Sequence, residues 1–279
     1  MSSTLSNSMG EIEIQHPDLW TLHLGLGRDK IEYVIYTKAQ ADSLISGSIA
    51  LDMSFGDYLK SLENCVYDNP VLLKPFGKVC VVADSRHFLF LPKSVGDDEE
   101  LAAEVFERSF PDAEGEMALC QMPQCGVVSA FELPKGVNAF LQRTFFNPPV
   151  CHSLVPLCEY YSSKQESTSL ARMFLHVNND EMKMCVFGKG RLLMSNVYKY
   201  RSVEDAAFYA LHAWQSYSLD ALNDEMQLAG DKQVRDELVP ILRKYINYVM
   251  PTIFPAAAMR IGHDAVKAPY HLILNALCE

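Results

Sequence analysis

The sequence predicts an α/β fold of two lobes, each built on a mixed sheet, with a cleft between them. Three observations predict it. The second half repeats the element order of the first: each half opens with three short strands joined by tight turns, then alternates helices and strands. The opening strands begin alike, Leu22-His23-Leu24 in one half and Leu175-His176-Val177 in the other. Between the halves lies the polar run Ser162–Ser169, the best linker in the chain. An internal duplication accounts for all three, with lobes at residues 1–165 and 166–279 and a disordered tail over 1–13.

The first half reads as strands Trp20–Leu26 and Ile31–Lys38 around a turn carrying Gly25, Gly27, Arg28 and Asp29, then a third strand Leu44–Asp52. A helix starts at Ser54 with Asp57 as its capping-box partner, and Phe55, Tyr58, Leu59, Leu62 and Val66 form its apolar face. Val79–Ala83 and Phe88–Leu91 are strands, followed by an acidic helix over Asp98–Ser109. Two strands flank the Pro123–Gly126 turn and end near Leu133. A helix over Val137–Phe146 stops before Asn147-Pro148-Pro149, as prolines require. Strand Val150–Leu154 leads into a helix containing Leu157 and Tyr161.

In the second half, strands Ala171–Val177, Met182–Phe187 and Leu192–Tyr200 are joined by Asn178-Asn179-Asp180 and Gly188-Lys189-Gly190, both suited to hairpins. Ser202 caps the next helix with Asp205 at its third position. Strand Met226–Ala229 ends at Gly230. A helix follows around Asp236–Tyr245, its start obscured by Pro240, then strand Tyr248–Phe254 and a closing helix Tyr270–Leu277.

Composition narrows the function. Apolar residues make up 49% and charged residues 21%, the balance of a globular protein. No run approaches the ~18 apolar residues of a membrane span, and Met1–Glu13 lacks the basic start and apolar region of a secretory signal. A cytoplasmic protein with no membrane insertion is expected. The formal charge of −11 lies in the first lobe: residues 1–166 carry 12 Lys+Arg against 23 Asp+Glu, and the remainder carries 12 of each. Nine of those acids fall between Asp97 and Glu116. Such a surface repels nucleic-acid phosphates, so no nucleic-acid partner is expected. The acidic helix reads either as a solvated face or as a docking patch for a basic protein. The eight cysteines lack the spacing of a zinc site, and no metal site is assigned.

The duplicated order resembles the actin, hexokinase and DnaK-type chaperone superfamily, the actin-like ATPase fold with ribonuclease H-like lobes. More narrowly, Phe88-Leu89-Phe90-Leu91-Pro92 with the acidic helix after it is similar to a segment of a bacterial family of unknown function assigned that fold. The resemblance implies two glycine-bearing hairpins, one per lobe, that hold phosphates, each opened by an aspartate that places hydrated Mg²⁺. Magnesium takes oxygen ligands and phosphoryl transfer depends on charge neutralisation, so those acids matter.

This chain departs from that pattern at four places. The first hairpin reads His23-Leu24-Gly25, keeping Gly25, Gly27 and Lys30 but not the acid. The second reads His176-Val177-Asn178, without acid or glycine. Pro156 stands where a polar residue would position the attacking water. The adenosine-side loop reads Leu228-Ala229-Gly230-Asp231, so one glycine survives and a carboxylate would face the nucleotide.

The candidate binding residues are therefore Gly25, Gly27, Lys30, Asn178 and Gly230, as degenerate nucleotide loops, with no catalytic residue assigned. A plainer reading gives Gly25 and Gly27 only the positive φ of a tight hairpin, and His23 and His176 only structural hydrogen bonds. Cys151-His152-Ser153 contains nucleophile and base types, but neighbours on a strand point to opposite faces. Asp52 and Asp84 stand at strand ends with no partner that sequence can name.

The expected function is a non-catalytic interaction or scaffold protein with an unidentified protein partner, and with self-association open. No cofactor is expected, ATP with Mg²⁺ being disfavoured by the missing acids. The alternatives are a nucleotide or small-molecule binder without turnover, which needs an open, positively lined cleft, and an active kinase or ATPase, which needs carboxylates converging from elsewhere.

Overall fold

The computed structural model describes residues 14–165 and 170–278, so the expected tail and positions 166–169 of the expected linker lie outside the described residues. Within them the first sheet holds β1 (Thr21–Leu26), β2 (Lys30–Tyr36), β3 (Ile45–Ala50), β4 (Lys78–Ala83) and β8 (Val150–His152) in the order β3-β2-β1-β4-β8. The second holds β9 (Arg172–Val177), β10 (Glu181–Gly188), β11 (Arg191–Lys199), β12 (Glu225–Gly230) and β13 (Tyr248–Pro251) in the order β11-β10-β9-β12-β13. The two orders are the same: an antiparallel meander whose first strand pairs in parallel with the fourth. His23 pairs with Cys80 in one sheet and His176 with Ala229 in the other.

The helices are α1 (Tyr58–Tyr67), α2 (Lys93–Gly96), α3 (Glu99–Ser109), α4 (Val137–Phe145), α5 (Val155–Ser162), α6 (Val203–Ser216), α7 (Lys232–Leu242) and α8 (Tyr270–Leu277). Between β4 and α4 the chain inserts a three-stranded sheet ordered β5-β7-β6 from β5 (Phe88–Pro92), β6 (Glu116–Met122) and β7 (Val127–Leu133), covered by α3 through Ala102 and Phe106.

Strand alternation sorts the core into layers. Ile31, Tyr33 and Ile35 face Leu62 and Val66 of α1 and Phe140 of α4, whereas Val34 and Tyr36 face a second cluster that includes Leu157 of α5 and Leu272 of α8. The second sheet does the same: Met182, Met184 and Val186 pack under α6 and α7, and Phe174, Cys185 and Phe187 turn toward α5 and α8. The packed helices α5 and α8 therefore carry the core shared by both lobes.

Two helices differ from expectation. α1 begins at Tyr58, because Gly56 takes a φ of +67° that a helix cannot continue through and Asp57 caps Leu59 N at 2.9 Å. Ser54 instead belongs to a short turn capped by Asp52 at 3.0 Å. α7 runs through Pro240, where the carbonyl freed at Asp236 is on an exposed residue and water can satisfy it. The Ser202–Asp205 capping box forms as the sequence reads.

Candidate functional site

The two hairpins converge on the lobe interface, where a charge pair sits between them. β10 reads Met182-Lys183-Met184-Cys185, and Lys183 pairs across the ladder with His176. Its ammonium donates to Asp84 Oδ1 at 2.8 Å and lies 3.9 Å from Glu181 Oε1. Asp84 is held beside the first hairpin by its own N–H, which donates to Leu26 O at 2.9 Å. The Lys183 side chain is 6% exposed and that of Asp84 45%.

Burial opposes charge on Lys183, but Asp84 and Glu181 outweigh it and hold the ammonium above its ordinary pKa. Burial likewise pushes the Asp84 carboxyl up, and Lys183, then His271, reverse the shift and hold it well below the usual carboxylate range. Its open side faces water, which weakens what the pair contributes to stability.

Helix α8 fills the remaining space. His271 Nε2 lies 3.8 Å from Glu32 Oε2, and Glu32 also accepts from Lys30 Nζ at 2.7 Å. Asn275 bonds His23 Nδ1 at 2.9 Å, and Tyr270 stacks on His176 with ring centres 5.2 Å apart and planes 2° apart. One helix thus touches the equivalent histidine of each lobe. Burial, reinforced by the Lys183 charge, lowers His176 to about 3 and His271 to about 4, so both are neutral imidazoles.

The five sequence-assigned residues fall into two groups. Gly25, Gly27 and Lys30 lie on the first hairpin, and Asn178 and Gly230 flank Val177 in the second lobe. Neither Gly25 nor Gly27 has a positive φ, which corrects the plainer reading of them. Gly25 is small because a Cβ there would stand 3.2 Å from His271 Nε2 and 3.4 Å from Leu272 Cδ2. Gly27 donates its N–H to Lys30 O at 2.9 Å and its carbonyl accepts from Tyr58 at 2.8 Å. Asn178 donates its N–H to Glu181 O at 2.8 Å and its carbonyl accepts from the Tyr200 hydroxyl. Gly230 has a φ of +100°, and a Cβ there would collide with the Val177 backbone. Asp231 accepts from Val234 N at 3.0 Å as the cap of α7.

These groups do not fit a magnesium nucleotide. The space over Gly25 belongs to α8, the hairpin N–H groups of Gly27 and Asn178 are spent within their own hairpins, and Asp84 is neutralised by a lysine. Among the described residues, no group of three His, Cys, Asp or Glu side chains is placed to hold a metal ion. Pro156 is buried in the first turn of α5. His152 donates or accepts at both ring nitrogens with backbone groups, Ser85 O at 3.2 Å and Leu154 N at 3.3 Å, and burial lowers it to about 4. Both ring nitrogens of His152 are therefore engaged by backbone groups and neither by Cys151. A hollow of about 510 Å³ lies elsewhere, between the Pro123–Gln124 turn, the end of α5 and Pro255.

Sequence reasoning did not find Lys183, Glu32, His271 or Asn275. Lys183 did leave a signal: it is the charge in the interior of the otherwise apolar strand β10, a position where an ammonium requires a partner. What the sequence could not supply was that Asp84, 99 positions away, provides it.

A family model described as protein of unknown function (DUF3822) matches residues 10–249. No curated protein matches the chain. Among solved structures the chain is similar to a Bacteroides thetaiotaomicron protein with actin-like ATPase fold and unknown function, at 22% identity and a TM-score of 0.78, covering 95% of this chain and 99% of that one. It is also similar to a chain of the PilM-PilN type IV pilus biogenesis complex, at 10% identity and a TM-score of 0.53, covering 92% of this chain and 98% of that one. The fold is the actin-like ATPase fold.

Proposed function

The chain belongs to the DUF3822 family of proteins of unknown function, and we propose that it is a non-catalytic interaction module on an actin-like ATPase fold. The observation that carries this reading is the Lys183–Asp84 pair. An ammonium on a strand stands where a nucleotide-hydrolysing site would need carboxylates free to order hydrated Mg²⁺. The tethered cation neutralises the acid permanently and needs no ligand to do so. In this reading the lobes are a rigid frame locked by α8, the protein works in the cytoplasm, and its surface meets another protein. The likeness to a chain of the PilM-PilN complex supports a protein partner, since that relative of the fold is itself found in an assembly. The shared strand order of the two lobes supports an origin by duplication.

A second reading, a small-anion binder without turnover, draws on a different observation. His176 Nδ1 and Arg235 Nε are buried and have no hydrogen-bond partner among the described residues. Calorimetric titration with ATP, ADP and GTP in the presence of Mg²⁺ separates the two. The interaction module gives flat titrations. Micromolar binding that a Lys30→Ala variant loses overturns it in favour of a phosphate-holding first hairpin, and binding lost in Arg235→Ala favours the anion site.

A further inference from the structure

We propose that the outer edge of β3 receives an extended, basic segment of a protein partner as a sixth strand of the first sheet. The proposal rests on the interaction-module reading and names the surface it would use.

The direction of the β3 backbone follows from two hydrogen bonds. Gly27 N donates to Lys30 O, so Lys30 faces β1, and Leu51 N donates to Asp29 O, so Leu51 faces β2. Antiparallel ladders alternate, and the register pairs Ile49 with Ile31 and Gly47 with Tyr33. Ile45, Gly47 and Ile49 therefore spend their backbone groups on β2. Ser46, Ser48 and Ala50 turn theirs outward, and no described residue bonds them.

The other sheet edges are covered or blunted. β8 packs on β6 and β7, β11 lies against α5, and β5 is flanked by α2 and α3. On β13 the Arg243 guanidinium takes the Val249 carbonyl at 2.9 and 3.0 Å. β11 also carries Arg191 and Lys199 at its ends and faces a register shift at Val186/Phe187. β3 itself has none of these protections: it carries no charge, no proline and no bulge, and among the described residues the bond to its outer side is made just before the strand, where Leu44 N donates to Ile261 O at 3.1 Å. An edge of that kind is a template for strand addition.

Charge selects the occupant. Asp42, which accepts from His263 N at 2.8 Å, precedes the strand, and the caps Asp52 and Asp57 follow it; all three stay exposed, in a half of the chain that carries 23 acids against 12 bases. A second copy would bring the same acidic edge against itself, whereas a basic segment is attracted. Ser46, Ser48 and Ala50 are small, so an incoming backbone meets little steric obstruction.

The test uses the full chain and residue-resolved amide hydrogen exchange, with a short alternating lysine–valine peptide as the probe and its glutamate–valine counterpart as the control. The lysine peptide is expected to slow exchange at Ser46, Ser48 and Ala50 by about tenfold or more, leaving Ile45, Gly47 and Ile49 unchanged. Ser48→Pro removes an outward N–H without touching the β2 ladder, so it should abolish that protection at an unchanged thermal midpoint. Ser48→Ala should retain it. Equal protection by both peptides, or protection that survives Ser48→Pro, overturns the proposal. So does protection already present in the isolated chain, at any concentration, because the edge is then filled by the chain itself. Loss of this proposal leaves the nucleotide titrations unaffected, so the two readings fail separately.

Discussion

Lys183, buried within β10, donates to Asp84 at the end of β4 across 2.8 Å, and this pair joins the two lobes where the two hairpins converge. Its members are unequal: the lysine is 6% exposed and the aspartate 45%. That asymmetry decides what each substitution does.

Asp84→Asn strands a buried ammonium with only Glu181 at 3.9 Å to answer it, and should cost ~3–5 kcal/mol. Lys183→Met leaves a carboxylate that water can reach and replaces the ammonium by an apolar group of similar length, so its cost should stay near ~1 kcal/mol. The double variant should regain most of what Asp84→Asn loses. Urea midpoints at constant slope measure all three. A Lys183→Met variant less stable than Asp84→Asn contradicts the placement of the buried charge.

Acid should weaken the fold in a defined window. His152, His176 and His271 are held at about 4, 3 and 4, mainly by burial, whereas in the unfolded chain they titrate near ~6.5. Between those values the unfolded chain binds more protons, so the stability is complete above about pH 6.5 and drains as the pH falls toward 4. Each histidine should contribute a loss of ~2 kcal/mol at about pH 5 relative to pH 7. Asp84, whose folded pKa is depressed, adds a further loss once the pH falls below its unfolded value of ~4. Equal urea midpoints at about pH 7 and about pH 5 rule out the neutral, buried assignment.

Two glycines that look alike in sequence should respond differently to alanine. Gly25→Ala asks His271 and Leu272 to yield a few tenths of an ångström and should cost ~1–2 kcal/mol. Gly230→Ala forces a φ of +100° on a residue with a Cβ and drives that atom into the Val177 backbone. Its cost should exceed ~3 kcal/mol, enough to reduce soluble yield. Thermal midpoints of the two variants give the ranking directly. Gly25→Ala being the worse of the pair would mean α8 is more rigid than its packing indicates.

The architecture was legible because it is written in local pattern. The hairpins, the Ser202–Asp205 box and Tyr270–Leu277 all follow from turn chemistry and periodicity within a few residues. The α1 start was misplaced because Ser54 and Asp57 mimic a capping box, and only the positive φ at Gly56 shows that the chain turns between them. The site was less legible because its bonds are long-range: His23 to Asn275, Glu32 to His271, Asp84 to Lys183. The absent acids at His23 and His176 could be read from one sequence. The lysine occupying the junction could only be suspected, and α8 lying over Gly25 could not be seen.

Asp231 offers the sharpest separation of a helix role from a ligand role. Its carboxylate accepts from Val234 N, the third residue of α7, which is the bond an N-cap makes. Asparagine caps about as well as aspartate, so Asp231→Asn should leave the urea midpoint nearly unchanged, while Asp231→Ala should cost ~1 kcal/mol. A carboxylate that instead faced a nucleotide would lose its repulsion in both variants alike, and both would gain ATP affinity. Stability that tracks capping ability, with flat ATP titrations throughout, fixes Asp231 as part of the frame.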